Sequence, residues 1–108
     1  MRHRRAFNPF LLRAYREAAG MTQEELGMAI GHKQASARKV ISALESGRTR
    51  MPYMSTTRRV AEALGVPPDD LICPWDVWFE YEAAFLEWRA EDPDCSLLQW
   101  IGDRVGGK

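Results

Sequence analysis

The chain has 108 residues, 45% of them hydrophobic and 28% charged, which fits one compact domain with a small appendage; no run of about 18 apolar residues exists that could span a bilayer. The formal net charge of +0 hides an asymmetry, because residues 1–60 hold 12 Lys/Arg against 4 Asp/Glu and residues 61–108 hold 3 against 11. One half of the chain suits a polyanion and the other half does not.

In chain order, MRHRR lacks the apolar run of a secretory signal and reads as a mobile basic arm over residues 1–7. Asn8 before Pro9 predicts a helix start, a capping side chain followed by a residue whose missing N–H costs nothing there. Phe10, Leu11, Ala14, Tyr15 and Ala18 then recur at helical spacing as far as Gly20. Thr22 and Glu25 stand at capping-box spacing and open a second, two-turn helix with Leu26, Ala29 and Ile30, closed by Gly31. A third helix is predicted from a Ser36 cap through Val40, Ile41 and Leu44 to Gly47, and a fourth from Ser55 or Thr56 through Val60, Ala61 and Leu64 to Gly65. "PPDDLI" predicts a brief fifth helix. No alternation marks a strand.

Beyond Pro74 the composition changes. "WDVWFEYEAAFLEWRAED" reads as a helix with Trp78, Tyr81, Phe85 and Trp88 at steps of three and four, flanked by Trp75, Phe79 and Leu86. Pro93 breaks it, and Ser96 caps a last helix with Leu97, Ile101 and Val105 on one side. With no flexible linker before it, this hairpin is expected to pack on the helical core. Cys73 and Cys95 form no CxxC pattern and, with His3 and His32, no zinc set; both read as reduced thiols. No phosphate loop, metal set or nucleophile beside a base is found, so neither catalysis nor a cofactor is expected.

Three phrases, "LLRAYREAAGMTQEELGMAIG", "ISALESGRTRMP" and "VAEALGVPPDDL", together resemble the Cro and phage-repressor helix-turn-helix family from Leu12 to about Ile72. The resemblance implies an all-α, five-helix repressor-like domain over residues 8–72, followed at 73–108 by an aromatic, acidic helical extension. Ala29, Ile41 and Leu44 suit a close helix crossing, with Gly20 and Gly31 at the sharp exits. Gln23, at the start of helix two, matches the position that the family uses against the DNA backbone. Arg16 and Glu45 match a structural ion pair between helix one and the end of the recognition helix.

One departure stands out in "GHKQASARKVISALESG". Gly31 and Glu45 are 14 residues apart, about one helical turn (~3.6 residues) more than the family's usual spacing. The surplus can be an extra turn at the start of helix three or a longer loop. Counting back from Glu45 puts Arg38 and Lys39 where relatives meet base edges, with Ser42 and Ala43 one turn later. Lys33, Gln34 and Ser36 become added contacts, and Arg48, Thr49 and Arg50 follow along the backbone with Arg58 and Arg59. Arginine suits the O6 and N7 acceptors of guanine. Arg2, Arg4 and Arg5 could reach a minor groove or phosphates.

The function expected is that of a cytoplasmic, bacterial or phage-encoded regulator of Cro/C1 type, a repressor that binds double-stranded DNA as a homodimer through Trp78, Tyr81, Phe85 and Trp88. An alternative is an antitoxin-like module whose C-terminal helices grip a partner protein, with DNA binding kept for autoregulation.

Overall fold

The computed structural model describes residues 5–48 and 52–105, and its first helix, α1 (Pro9–Ala18), starts at the Asn8 cap. The Asn8 side-chain oxygen accepts the backbone N–H groups of Phe10 at 2.9 Å and Leu11 at 3.0 Å, two donors that the first turn leaves without intrahelical partners. Asn8 is fully buried. Its own N–H reaches Leu71 O at 2.8 Å, and its amide donates to Cys73 Sγ at 3.3 Å. One side chain thereby caps a helix and ties the start of the domain to its end. Burial pushes the Cys73 thiol up, against the opposing pull of the Asn8 amide, so the sulfur stays protonated and inert at neutral pH.

Around this tie the backbone forms a ribbon of two strands, β1 (Arg5–Phe7) and β2 (Ile72–Pro74), antiparallel with Ala6 opposite Cys73. Two corrections follow. The chain does contain strands, three residues each and too short to show alternation; and residues 5–7 belong to the fold rather than to a mobile arm, with Phe7 buried in the core. The break expected after residue 72 falls inside β2. Residues 1–4 of the expected arm lie outside the described residues.

The remaining elements follow local chemistry. Thr22 and Glu25 form the reciprocal capping box of α2 (Gln23–Ala29), at 3.0 and 2.8 Å. α3 spans Gln34–Glu45, and α4 (Met54–Leu64) begins just before the serine expected to cap it and ends at Gly65. "PPDDL" makes a 3-10 turn, Pro68–Leu71, rather than a full helix. A second such turn, Trp75–Val77, leads into α5 (Trp78–Glu91). Asp92 reverses the chain in the left-handed region at φ 47, and Ser96 caps α6 (Leu97–Arg104) by accepting Gln99 N–H at 3.1 Å.

Two apolar clusters share α1. On one side Leu12 packs with Leu26, Ile30, Ile41, Leu44, Val60, Ala61 and Leu71, which join α1 to α4. On the other, Leu11 and Ala14 pack with Ala84, Phe85, Leu97, Trp100, Ile101 and Val105. Burying a side chain such as Phe85 or Ile101 contributes about 1.5–3 kcal/mol, enough in sum to dock the hairpin without a partner. Of the stripe expected to dimerise, Phe85 is buried and Trp78, Tyr81 and Trp88 are partly buried, because Phe10, Leu11 and Ala14 leave α1 an apolar outer face that needs cover. The Phe10 ring lies 5.3 Å from both Trp78 and Phe85. Tyr81 and Trp88 pack against the same cluster. Trp78 Nε1 donates to Phe7 O at 3.3 Å and Trp88 Nε1 to Cys95 O at 3.1 Å.

Candidate nucleic-acid interface

The geometry of the site begins at a glycine. Gly27 lies mid-helix in α2, where glycine costs about 1 kcal/mol relative to alanine, and it is buried against α3. A Cβ there would stand 2.3 Å from Ala37 O and 2.7 Å from Ala37 Cα, so the two helices touch backbone to side in a way that only glycine permits. Ala29, expected at this crossing, is exposed instead. Gly31, at φ +104, then turns the chain from α2 toward α3 through a conformation that disfavours any side chain.

α3 resolves the surplus of residues. It starts at Gln34 with Lys33 as an N-cap that makes no side-chain cap bond, so the extra four residues are helical, an added first turn. Ser36, expected to cap the helix, sits inside that turn, and its hydroxyl donates back to Lys33 O at 3.3 Å. Ala37, Ile41 and Leu44 face the core. At 3.6 residues per turn the opposite side carries Ala35, Lys39, Ser42, Ala43 and Ser46. Lys39 thus rises from a floor of small side chains, a surface that can approach another closely. Ala35 and Ser46 were not singled out from the sequence, because small residues on a helix carry no chemical signal of their own.

Arg38 lies on the flank rather than the crest. With Arg13, Arg16, Thr22, Gln23, Glu24 and Glu45 it lines an open cleft between α1, α2 and α3. Within that cleft the Arg16 guanidinium makes a two-point contact with Glu45, Nε to Oε2 at 2.5 Å and Nη2 to Oε1 at 3.1 Å, and Nη1 donates to Met21 O at 2.8 Å. Gln23 Nε2 donates to Glu45 Oε1 at 3.0 Å. The Gln23 amide is therefore engaged inside the protein, as a brace between α2 and the end of α3. Three donors converge on one carboxylate, and together they set the angle of α3.

The other basic groups of the helices are exposed. Lys33, Gln34, Arg38 and Lys39 are exposed on α3, Arg58 and Arg59 on α4. Arg48 is exposed just past α3 and donates to Ser46 Oγ at 3.2 Å. Thr49 and Arg50 lie outside the described residues. Among the described residues no group of three or more His, Cys, Asp or Glu could hold a metal ion, and no helix is long and apolar enough to cross a membrane.

Two short helices locked at a glycine crossing, the second presenting a basic outer face, define a helix-turn-helix DNA-binding domain. The family model described as a helix-turn-helix domain matches residues 11–73, more than half of the chain, and the chain belongs to that family. Neither the curated proteins nor the solved structures give a match.

Proposed function

We propose that the chain is a transcriptional regulator, a homodimeric repressor of Cro/C1 type that binds a pseudo-palindromic operator in the cytoplasm of a bacterium or on behalf of a phage. The observation that carries this reading is the outer face of α3, where Lys39 and the flanking Arg38 stand over small side chains on a helix lengthened by one turn. A helix with such a face fits a major groove about 12 Å wide. Ala35 and Ala43 suit thymine methyl groups, Ser42 either a donor or an acceptor, and Arg38 and Lys39 the O6 and N7 of guanine. The added turn brings Lys33, Gln34 and Ser36 to the groove edge, while Arg48, Thr49, Arg50, Arg58 and Arg59 hold the phosphates and set the register. Dimers of this class engage half-sites about 34 Å apart, and a repressor then acts by occupying the promoter.

Selection of bound duplexes from a random pool at physiological salt tests the reading directly. A two-fold symmetric motif is the expected result. Failure to enrich any sequence would overturn specific readout and favour the antitoxin-like alternative, in which the C-terminal helices serve a protein partner.

On the selected site, Arg38→Ala is expected to cost about 1–3 kcal/mol and to relax the preference at one base position. Equal weakening on every sequence, with the salt dependence flattened by about one unit of log-log slope, would assign Arg38 to a phosphate instead.

A further inference from the structure

We propose that the outer face of α5 pairs two copies of this chain, antiparallel, through Phe79, Ala83, Leu86 and Ala90. The helix is apolar on two opposite sides. Trp78, Tyr81, Phe85 and Trp88 pack on the side of α1 and α6, whereas Phe79, 59% exposed, and Leu86, 54% exposed, lie on the opposite side of the helix. Ala83 and Ala90 are exposed as well. The steps from 79 to 83 to 86 to 90 are four, three and four residues, the spacing that keeps one narrow stripe facing a partner helix. Trp75, 45% exposed, stacks its edge on Phe79 with ring centroids 5.8 Å apart and widens the stripe at one end.

The second copy is selected by size and charge. In an antiparallel pairing about a two-fold axis between residues 84 and 85, Phe79 lies over Ala90 of the other copy and Leu86 over Ala83. Each bulky side chain meets a small one, and the layers interlock. A parallel pairing sets Phe79 on Phe79 and Ala83 on Ala83, which leaves one layer crowded and the next empty. The flanks discriminate in the same direction. On one edge Glu82 of each copy faces Arg89 of the other, twice by symmetry. On the other edge Glu80 approaches Glu87, and Arg104, whose Nε bonds Glu87 Oε1 at 2.7 Å, supplies the positive charge between them. Glu80, Glu82, Glu87 and Glu91 along the same helix repel a polyanion, so this face does not serve nucleic acid.

One short helix per copy buries less than the ~1,200 Å² of a tight complex, so the dimer is reversible and its mass depends on concentration. The proposal deepens the dimeric reading given above and rests on it. Sedimentation equilibrium of the full chain without DNA, over a concentration series, is the test. The expected result is monomer–dimer exchange, with Leu86→Glu weakening association about tenfold or more while helical circular dichroism is unchanged, because Leu86 is exposed. Arg89→Glu should weaken it too, and the pair Glu82→Arg with Arg89→Glu should restore it, since the swapped charges again meet across the axis. A dimer that persists in Leu86→Glu overturns this face but leaves the dimeric reading standing. Wild-type chain that is monomeric throughout overturns both, leaving DNA recognition to the selection experiment. A charge swap that fails to restore association overturns the antiparallel register.

Discussion

Replacing Arg16 with alanine is expected to cost about 3–5 kcal/mol of stability, the range for breaking a buried ion pair by deleting one member. The side chains of Arg16 and Glu45 are only 11% and 6% exposed. Without Arg16 the Glu45 carboxylate keeps the Gln23 amide as its one remaining donor among those described above, and Met21 O loses its bond to Nη1. A single domain is stable by only ~5–15 kcal/mol, so the variant should approach unfolding at 37 °C; urea denaturation measures it. A double replacement, Arg16→Met with Glu45→Leu, should recover most of that stability, because apolar pairs of similar volume often equal a buried salt bridge. Recovery of stability without recovery of operator affinity would separate the two roles of the pair: holding the fold together and aiming α3. If the single variant melted like the wild type, the carboxylate would have to be reaching water, contrary to its burial.

Gly27→Ala is expected to lower both stability and DNA affinity, although Gly27 is buried between α2 and α3. Two effects oppose each other. Alanine gains about 1 kcal/mol in helix propensity, whereas its methyl would enter Ala37 backbone atoms at 2.3–2.7 Å. The neighbours are backbone, not the end of a flexible side chain, so α2 and α3 must separate; overpacking of this kind costs typically 1–3 kcal/mol. With rigid backbone as the neighbour the clash wins, and a net loss of up to about 2 kcal/mol lowers the melting temperature by roughly 4–8 °C per kcal/mol in a domain of this size. Thermal unfolding and an operator titration check the two halves of the expectation. An unchanged melt would show that the two helices can slide apart freely.

What was legible in the sequence was chiefly the chemistry of chain ends. Asn8-Pro9, the Thr22–Glu25 box, Ser96 and the terminating Gly65 act through their immediate neighbours, so their meaning does not depend on the rest of the molecule. The start of α3 was harder, because Ser36 has cap chemistry and the first turns of the helix lie against Gly27, where a Cβ would meet the Ala37 backbone. β1 and β2 were invisible since each is three residues long and pairs across most of the chain. The largest gap concerns α5. Both of its sides are apolar, and which one turns inward depends on the outer face of α1, where Phe10, Leu11 and Ala14 wait beside Leu12 of the other core. Of the candidate site, the types and order of the basic residues were readable; the difference between Lys39 on the crest and Arg38 on the flank, and the engagement of Gln23 with Glu45, required the angle at which α2 and α3 cross.

The sharing of α1 between two cores ties α3 and the C-terminal hairpin to one and the same helix. In the proposed dimer, a protein of this build would work as a caliper. Two such bodies joined as proposed would hold the gap between their reading helices by bone rather than by string, with little slack to follow a half-site that has moved. Each base pair added to the spacer rotates the far half-site by roughly 35° about the duplex axis, since a turn takes ~10–10.5 base pairs. Two inserted pairs carry it out of reach of the second helix. Discrimination among genomic sites by the proposed dimer would then come from distance and phase as well as from the bases touched, through the packing of Leu11, Leu12 and Ala14 on opposite sides of a single helix.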